Sequence, residues 1–241
     1  MKTGDRITFH KRRPNVQMSC GLLETCYPPG LPLGAKNIRG PLACMRTLLK
    51  RGEHLYELDD PISSIYSVIA GTFKTCTVTE RGEEQVLGFH MRGAIMGLDA
   101  MATDRYTATA IAIEDSQVCV VSADCLQEHC AQDTSVAKRI HAAMAKEINS
   151  LQRMLLLLGR KTADERVASF LLELAATYRS LGYSPYDMNL VMTRAEIGSY
   201  LSLTLETVSR ILSSFQERQL LEVNQRHIRI LDTAGLEHLS G

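Results

Sequence analysis

Two cysteines near the N-terminus have the spacing and the setting to do chemistry. Cys20 and Cys26 lie in the stretch QMSCGLLETCYPPG, with five residues between them and a Pro-Pro-Gly turn after them. Thiolates on a loop can bind a metal or exchange with a disulfide. Because the chain has seven cysteines, an odd number, a disulfide framework is not expected. The spacing leaves open a metal pocket, a thiol-based redox site and two thiols without a chemical role.

The stretch TRAEIGSYLSLTLETVSRIL predicts two short helices joined by a tight turn. Thr193 is a good N-cap, and Glu196, three residues later, completes a capping box for the first helix. Ile197 and Leu201 are expected to face inward, and the small Gly198 lets the second helix cross closely. This pattern is typical of a helix-turn-helix, whose second helix protrudes far enough to enter the major groove of DNA.

The second helix is expected to begin after Thr204, a further N-cap. Its buried side is predicted to consist of Leu205, Val208, Ile211 and Leu212. Its exposed side begins with Glu206, Thr207, Ser209 and Arg210. Arg210 can donate two hydrogen bonds to guanine O6 and N7, and Glu206 can hold Arg210 in place or accept from a cytosine amine. The alternative is an ordinary helical hairpin with a surface salt bridge.

Composition narrows the classes of protein that the chain can belong to. Lysine plus arginine equals aspartate plus glutamate, 27 each, so net charge gives no hint of a nucleic-acid partner. No apolar run is long enough for a transmembrane helix, and the N-terminus lacks the apolar segment of a secretory signal. We therefore expect a cytoplasmic protein without a membrane partner. The chain has no nucleophile elbow, P-loop or H-E-x-x-H motif, which argues against an enzyme.

The pattern along the chain predicts an α+β protein made of four segments. Residues 1–43 read as an irregular arm that carries cysteines, and short alternating runs over 44–133 predict a β-roll or jelly-roll sensor domain. A long helix is expected over 134–160, and 161–241 should form a winged helix-turn-helix. In this last segment Leu221 to Ile230 reads as a hairpin, with Asn224 and Gln225 at its tip. Two arginines in or beside the hairpin, Arg226 and Arg229, could lie on phosphates.

The long helix carries an apolar stripe at the coiled-coil period. The stripe consists of Met144, Ile148, Leu151, Leu155 and Leu158, in steps of four, three, four and three. A seam of this kind predicts a homodimer in which two such helices pack together. The alternative is that the helix packs on its own β-roll.

Three stretches give the chain a family resemblance. TERGEEQVLGFHMRGAIMGLDAM, LLLLGRKTADERVASFL and LVMTRAEIGSYLSLTLETVSRIL are similar to the FNR branch of the cyclic-AMP receptor protein superfamily. The resemblance implies a homodimeric regulator that binds double-stranded DNA at a TTGAT-type palindrome, contacts RNA polymerase and responds to oxygen. The Glu-x-x-Ser-Arg signature of the branch falls on Glu206, Ser209 and Arg210, and Thr207 and Thr193 are the other expected DNA contacts. Ser202 stands in the turn where relatives usually carry glycine.

The resemblance also implies a cofactor, but with one ligand missing. FNR regulators hold a 4Fe-4S cluster on four cysteines, and the matching residues are Cys20, Cys26 and Cys119. The first ligand position is Gln17. The fourth ligand could instead come from Cys44, His10 or a small molecule. A smaller cluster, or no cluster and a thiol-disulfide switch between Cys20 and Cys26, are the other interpretations.

Two further departures from the family pattern concern the signal to which the regulator responds. Leu98 and Tyr106 stand where the parent of the superfamily carries the glutamate and the arginine that bind cyclic AMP, so no cyclic AMP is expected, although Arg105 is adjacent. Leu151 stands where FNR regulators carry an acidic residue that opposes dimerisation. We therefore expect easier dimerisation and less dependence on a cluster. The alternative function is a cluster-free regulator of the same fold that is constitutive, thiol-switched or controlled by an unknown small-molecule effector.

Overall fold

The computed structural model describes residues 44–241. The N-terminal domain contains the strands β1 Cys44–Leu49, β2 His54–Tyr56, β3 Ser64–Ala70, β4 Phe73–Val78, β5 Glu84–His90, β6 Ile95–Met96, β7 Thr109–Ala112 and β8 Ser116–Ser122, with a short 3-10 helix at Leu98–Ala102. The helices α1 Ala123–Gln132 and α2 Thr134–Arg160 follow. The C-terminal domain contains α3 Ala163–Ser180, β9 Asp187–Asn189, α4 Arg194–Leu201, α5 Leu205–Glu217, β10 Leu221–Asn224, β11 His227–Ile230 and α6 Thr233–Ser240. The molecule is a mixed α+β protein, as predicted.

The eight strands of the N-terminal domain form a β-roll of two antiparallel four-stranded sheets. Their strand orders are β1-β8-β3-β6 and β2-β7-β4-β5. The alternating side chains of both sheets meet inside the roll, where Val68, Phe73 and Val118 are fully buried. The long run SIYSVIAGTFKTCTVTE divides at Gly71, whose φ is +80°. A Cβ at this position would collide with Ser116, so only glycine fits this corner between β3 and β4.

The first half of α2 packs against the outside of the roll. Val136 and Ile140 lie in one apolar cluster with Ile65 of β3 and Leu126 of α1. Asp133 caps α2 by accepting a hydrogen bond from the Ser135 N–H. The second half of the helix extends beyond the roll. None of the helices in 44–241 is long and apolar enough to cross a membrane.

The C-terminal domain has its own core, to which the four helices α3–α6 and a small sheet contribute. The strand order of that sheet is β10-β11-β9. Leu171, Met188, Leu201, Phe215 and Ile228 are among its most buried side chains. The domain contacts the β-roll where α4 lies beside β5.

Candidate nucleic-acid interface

The first helix of the helix-turn-helix begins at the predicted capping box. The Glu196 N–H donates to Thr193 Oγ1 over 3.2 Å, and the Thr193 N–H donates to Glu196 Oε2 over 2.7 Å. Burial raises the pKa of Glu196, but hydrogen bonds from Thr193 and Lys74 outweigh it and hold that pKa below its ordinary value. The carboxylate is therefore charged where it stabilises the N-terminus of α4.

The turn between α4 and α5 depends on two small residues. A Cβ on Gly198 would lie 2.7 Å from the Leu203 carbonyl oxygen, so this glycine allows the chain to cross closely, as predicted. The Leu203 N–H donates to the Gly198 carbonyl over 2.8 Å. Ser202 is left-handed, with φ 55° and ψ 46°. A serine thus occupies a conformation that favours glycine.

Replacing Ser202 by glycine should stabilise the C-terminal domain. The left-handed conformation costs a residue with a side chain about 1–2 kcal/mol in the folded state. Glycine avoids this cost, but its greater freedom stabilises the unfolded chain and offsets about 0.4–1 kcal/mol of the gain. We expect Ser202→Gly to raise the free energy of unfolding by about 0.5–1 kcal/mol, measured by urea denaturation with the DNA affinity unchanged. Gly182 also has a positive φ, +83°, so Gly182→Ser is the matched control and should destabilise the domain.

The second helix, α5, has one buried and one exposed side. Thr204 caps it by accepting from the Thr207 N–H over 3.2 Å. Val208, Ile211 and Leu212 are buried as predicted. Leu205 was expected on the same side, but it is 46% exposed. It is the first residue of the helix and lies beyond the core that covers Val208, on a groove beside the β4–β5 hairpin.

The predicted base-reading residues share the exposed side of the first two turns of α5. Glu206 and Arg210 are exposed, and in residues 44–241 no ion pair joins them. Ser209 is half-buried, and the hydroxyl of Thr207 lies 3.1 Å from that of Thr204. The guanidinium and the carboxylate can therefore both turn toward base edges in a major groove.

One cation beside this surface was not predicted. Arg194, the first residue of α4, donates from Nη1 to Ser209 Oγ over 3.3 Å. The sequence could have indicated Arg194, because it directly follows the N-cap Thr193. Residues at the start of the first helix of a helix-turn-helix face the DNA backbone beside the major groove. Thr193, Arg194 and Ser209 thus lie along one edge of the exposed side of α5.

The wing differs in detail from the sequence prediction. The turn of the hairpin is Gln225 and Arg226, one residue later than predicted, and Gln225 is left-handed with φ 56°. Arg226 is exposed and donates to the Val191 carbonyl over 3.4 Å. Arg229 lies near two carboxylates. These belong to Asp187 and Glu222, at 3.6 and 3.7 Å. Arg226 is therefore the better candidate for a phosphate contact.

The apolar stripe of α2 has two parts. Met144 is half-buried and packs against the cluster beneath the roll. Ile148, Leu151 and Leu155 have 55%, 52% and 72% of their surface exposed, and Leu158 is half-buried. Leu156, which was not predicted, is 65% exposed. The second half of α2 thus presents large apolar side chains that residues 44–241 of one chain leave exposed.

Only one of the three expected cluster ligands lies in the described part of the chain. Cys119 is buried in β8, opposite Ser67 of β3. Both side chains are on the outer face of their sheet, away from Val118 and Val120. The Ser67 hydroxyl is buried without a hydrogen-bond partner among residues 44–241, where no group of three or more His, Cys, Asp or Glu could hold a metal. Cys20, Cys26, Gln17 and His10 lie outside the described residues.

The residues that the resemblance matches to the cyclic-AMP-binding positions of the parent family have other contacts here. Tyr106 is 2% exposed, stacks on Tyr56 with ring centroids 4.0 Å apart, and donates its hydroxyl to the Ser64 carbonyl over 2.7 Å. Arg105 is exposed and donates to the Asp59 carbonyl over 2.6 Å. Leu98 packs against the cluster under α1 and α2. A buried tyrosine, Tyr106, thus stands where the resemblance places the family's arginine, and the adjacent Arg105 is exposed.

Comparison with known proteins gives matches over both domains. Residues 165–239 match the model for the Crp-like helix-turn-helix domain, and residues 46–133 match the model for the cyclic nucleotide-binding domain. The chain is 40% identical to the transcriptional regulatory protein btr of Bordetella pertussis, over 92% of each protein. It is 39% identical to the transcriptional activator protein FnrA of Stutzerimonas stutzeri, over 98% of this chain and 97% of FnrA.

Solved structures show the same architecture. The structure of FixK2 from Bradyrhizobium japonicum superposes with a TM-score of 0.78 at 33% identity, over 83% of this chain and 98% of FixK2. TTHB099 of Thermus thermophilus, a transcriptional regulator of the CRP family, gives 0.67 at 21% identity over 81% and 96%, which shows the fold alone. The relatives btr and FnrA are transcription regulators and not enzymes, as the absence of catalytic motifs predicted.

Proposed function

Because the chain belongs to the CRP/FNR family of DNA-binding transcription regulators, we propose that it binds a TTGAT-type palindrome as a homodimer and responds to oxygen or redox state. The observation that carries the DNA target is the exposed side of α5, where Glu206, Ser209 and Arg210 stand together beside Arg194. Such a regulator acts at cytoplasmic DNA and contacts RNA polymerase. The first test is a binding titration of the palindrome against a scrambled duplex at fixed salt, since salt alone changes affinity strongly.

The dimer is supported by the second half of α2. Ile148, Leu151 and Leu155 recur at the heptad spacing and are more than half exposed, while the first half of the same helix is anchored to the roll. Exposed large apolar side chains in such a row mark a protein interface. A second copy of α2 would cover them, and its two-fold symmetry would match that of a palindrome.

Redox sensing is supported by the setting of Cys119. Its thiolate, with those of Cys20 and Cys26, would hold an iron–sulfur cluster, and the unpaired Ser67 hydroxyl opposite Cys119 could donate a hydrogen bond to a sulfur atom. When bound, the cluster would supply sensitivity to oxygen. In this proposal Cys119 is the one expected ligand among residues 44–241, and Gln17 leaves the fourth ligand to another donor.

Anaerobic purification with iron and sulfide counts per chain tests this proposal. We expect about four irons and a visible absorbance that bleaches in air. Cys119→Ala should lose the iron. Cys76→Ala is the matched control, because burial raises the pKa of the Cys76 thiol to about 11 and it should not act as a ligand. Iron retained by Cys119→Ala would remove Cys119 from the ligand set.

The cluster-free alternative is favoured by two residues. Gln17 replaces the first ligand, and Leu151 places an apolar side chain in the middle of the exposed stripe. A colourless, iron-free dimer that still binds the palindrome would establish this alternative. Thermal stabilisation by a metabolite without any change on iron reconstitution would point to a small-molecule effector.

Cyclic AMP should not bind to the β-roll. Tyr106 is buried where the family's arginine would stand, and Arg105 is exposed and bonded to the Asp59 carbonyl, so neither residue offers a cation to a cyclic phosphate there. We expect no shift of the melting temperature and no heat in calorimetry at millimolar cyclic AMP. The cyclic-AMP receptor protein serves as the positive control, and a saturable shift here would refute the assignment.

A further inference from the structure

The edge of one β-roll sheet is covered by the helix-turn-helix. β5 is the outer strand of its sheet, so one side of its backbone has no strand partner. The Val86 N–H donates to Ser199 Oγ of α4, and Ser199 Oγ donates to the Glu84 carbonyl, both over 2.8 Å. The Gln85 side-chain amide donates to the Ser199 carbonyl. One serine thus replaces a neighbouring strand along three residues of β5.

A buried ammonium lies beside this contact. The side chain of Lys74, on β4, is only 10% exposed, and its Nζ lies 2.6 Å from Glu84 Oε1 and 3.0 Å from Glu196 Oε1. Burial lowers the pKa of Lys74, but the bonds to Glu84 and Glu196 outweigh it and the net shift is upward. Lys74 is therefore a charged link between the roll and α4, and removing either carboxylate would leave a poorly paired buried charge.

Glu196 also connects Lys74 to the nucleic-acid interface. Its Oε2 belongs to the capping box with Thr193, while its Oε1 accepts from Lys74. The same side chain therefore holds the N-terminus of α4 and the roll. Aromatic packing extends the contact, since Phe89 of β5 lies 5.3 Å from Tyr200 of α4 and 6.3 Å from Phe170 of α3, measured between ring centroids.

We propose that this contact, with Lys74 at its centre, sets the orientation of the helix-turn-helix on the β-roll and so the spacing of the two recognition helices in the dimer. The inference rests on the proposed palindrome-binding homodimer. Lys74 is a positioning residue, because its ammonium faces Glu84 and Glu196, while the exposed side of α5 remains open in this arrangement. Half-sites about 34 Å apart are bound together only if both helices are held at that spacing.

A variant in which the helix-turn-helix has lost its orientation should differ in its DNA binding from a variant that has lost base recognition. A loosened domain still binds one half-site, since the side chains on α5 are intact. The second half-site is then bound less often, because the effective concentration of the second recognition helix falls. The measured quantity is therefore the ratio of the affinity for the palindrome to the affinity for a duplex with a single half-site.

We expect Lys74→Met to lower the palindrome affinity about tenfold, with single-half-site affinity changed less than twofold. Lys50→Met is the matched control, since Lys50 of the same domain pairs with Asp115 at 2.6 Å on the surface, with side chains 76% and 63% exposed. It should leave both affinities unchanged. If both affinities fall together, or if neither falls, Lys74 does not position the domain.

A second variant tests the contact without the buried charge. Ser199→Ala removes the partner of the Val86 N–H, and hydrogen exchange at Val86 should become at least tenfold faster, with the palindrome affinity lowered as in Lys74→Met. Unchanged exchange would show that the two domains are not held here in solution. If the wild-type protein bound no palindrome, the proposed function would fail, whereas the exchange measurement would still decide whether the contact exists.

Discussion

Arg210→Ala should weaken binding to the TTGAT-type palindrome by about 1–3 kcal/mol, and it should relax the preference at one base pair of each half-site. Arg210 is exposed in the second turn of α5, and no carboxylate in the described part of the chain forms an ion pair with it. Its fork of donors is thus available for guanine O6 and N7. The measurement is a titration against the palindrome and against each single-base variant of it.

Arg218→Ala is the control for this prediction. Arg218 is an exposed cation at the other end of the same helix, where it forms the C-cap of α5. Its replacement removes the same charge without removing a base contact, so specificity should be retained. An Arg210→Ala protein with the wild-type order of preference among the variant sites would show that Arg210 contacts only phosphate.

Leu151→Glu should convert the proposed dimer to monomer. Burial of Leu151 of each subunit in the proposed seam would contribute about 1.5–3 kcal/mol per side chain, and two carboxylates would lose hydration and repel each other. We expect the dissociation constant to rise at least a hundredfold, measured by sedimentation equilibrium. Palindrome binding should fall with it, because a monomer reaches one half-site only.

Gln152→Glu provides the matched control for the seam. Gln152 is exposed at the next position of α2, outside the apolar stripe. Its replacement by glutamate introduces the same charge as Leu151→Glu without burying that charge in an interface. It should leave the dimer intact. A Leu151→Glu protein that remained dimeric would place the interface elsewhere. Iron-free wild-type protein that sedimented only as monomer at micromolar concentration would contradict the expectation that Leu151 reduces the need for a cluster.

Local pattern was sufficient for the helix-turn-helix. The capping box at Thr193, the N-cap at Thr204, the close approach at Gly198 and the left-handed turn at Ser202 each depend on residues within a few positions of one another. Hydrogen bonds of this kind form in the same way wherever the segment occurs. The sequence for the same reason identified the exposed side of α5.

Contacts between distant segments could not be predicted in this way. Lys74 and Glu196 are far apart in the chain, and nothing near either residue indicates that the other will stand 3.0 Å away. The docking of α4 on the edge of β5, and the exposure of Leu205 at the rim of the domain, depend on how two separate cores pack. The sequence by itself determined the capped helices and the exposed side of α5, because those follow from local hydrogen bonding and periodicity. Only the tertiary structure decided which charges are buried together between the domains, because that depends on the packing of segments that no local pattern connects.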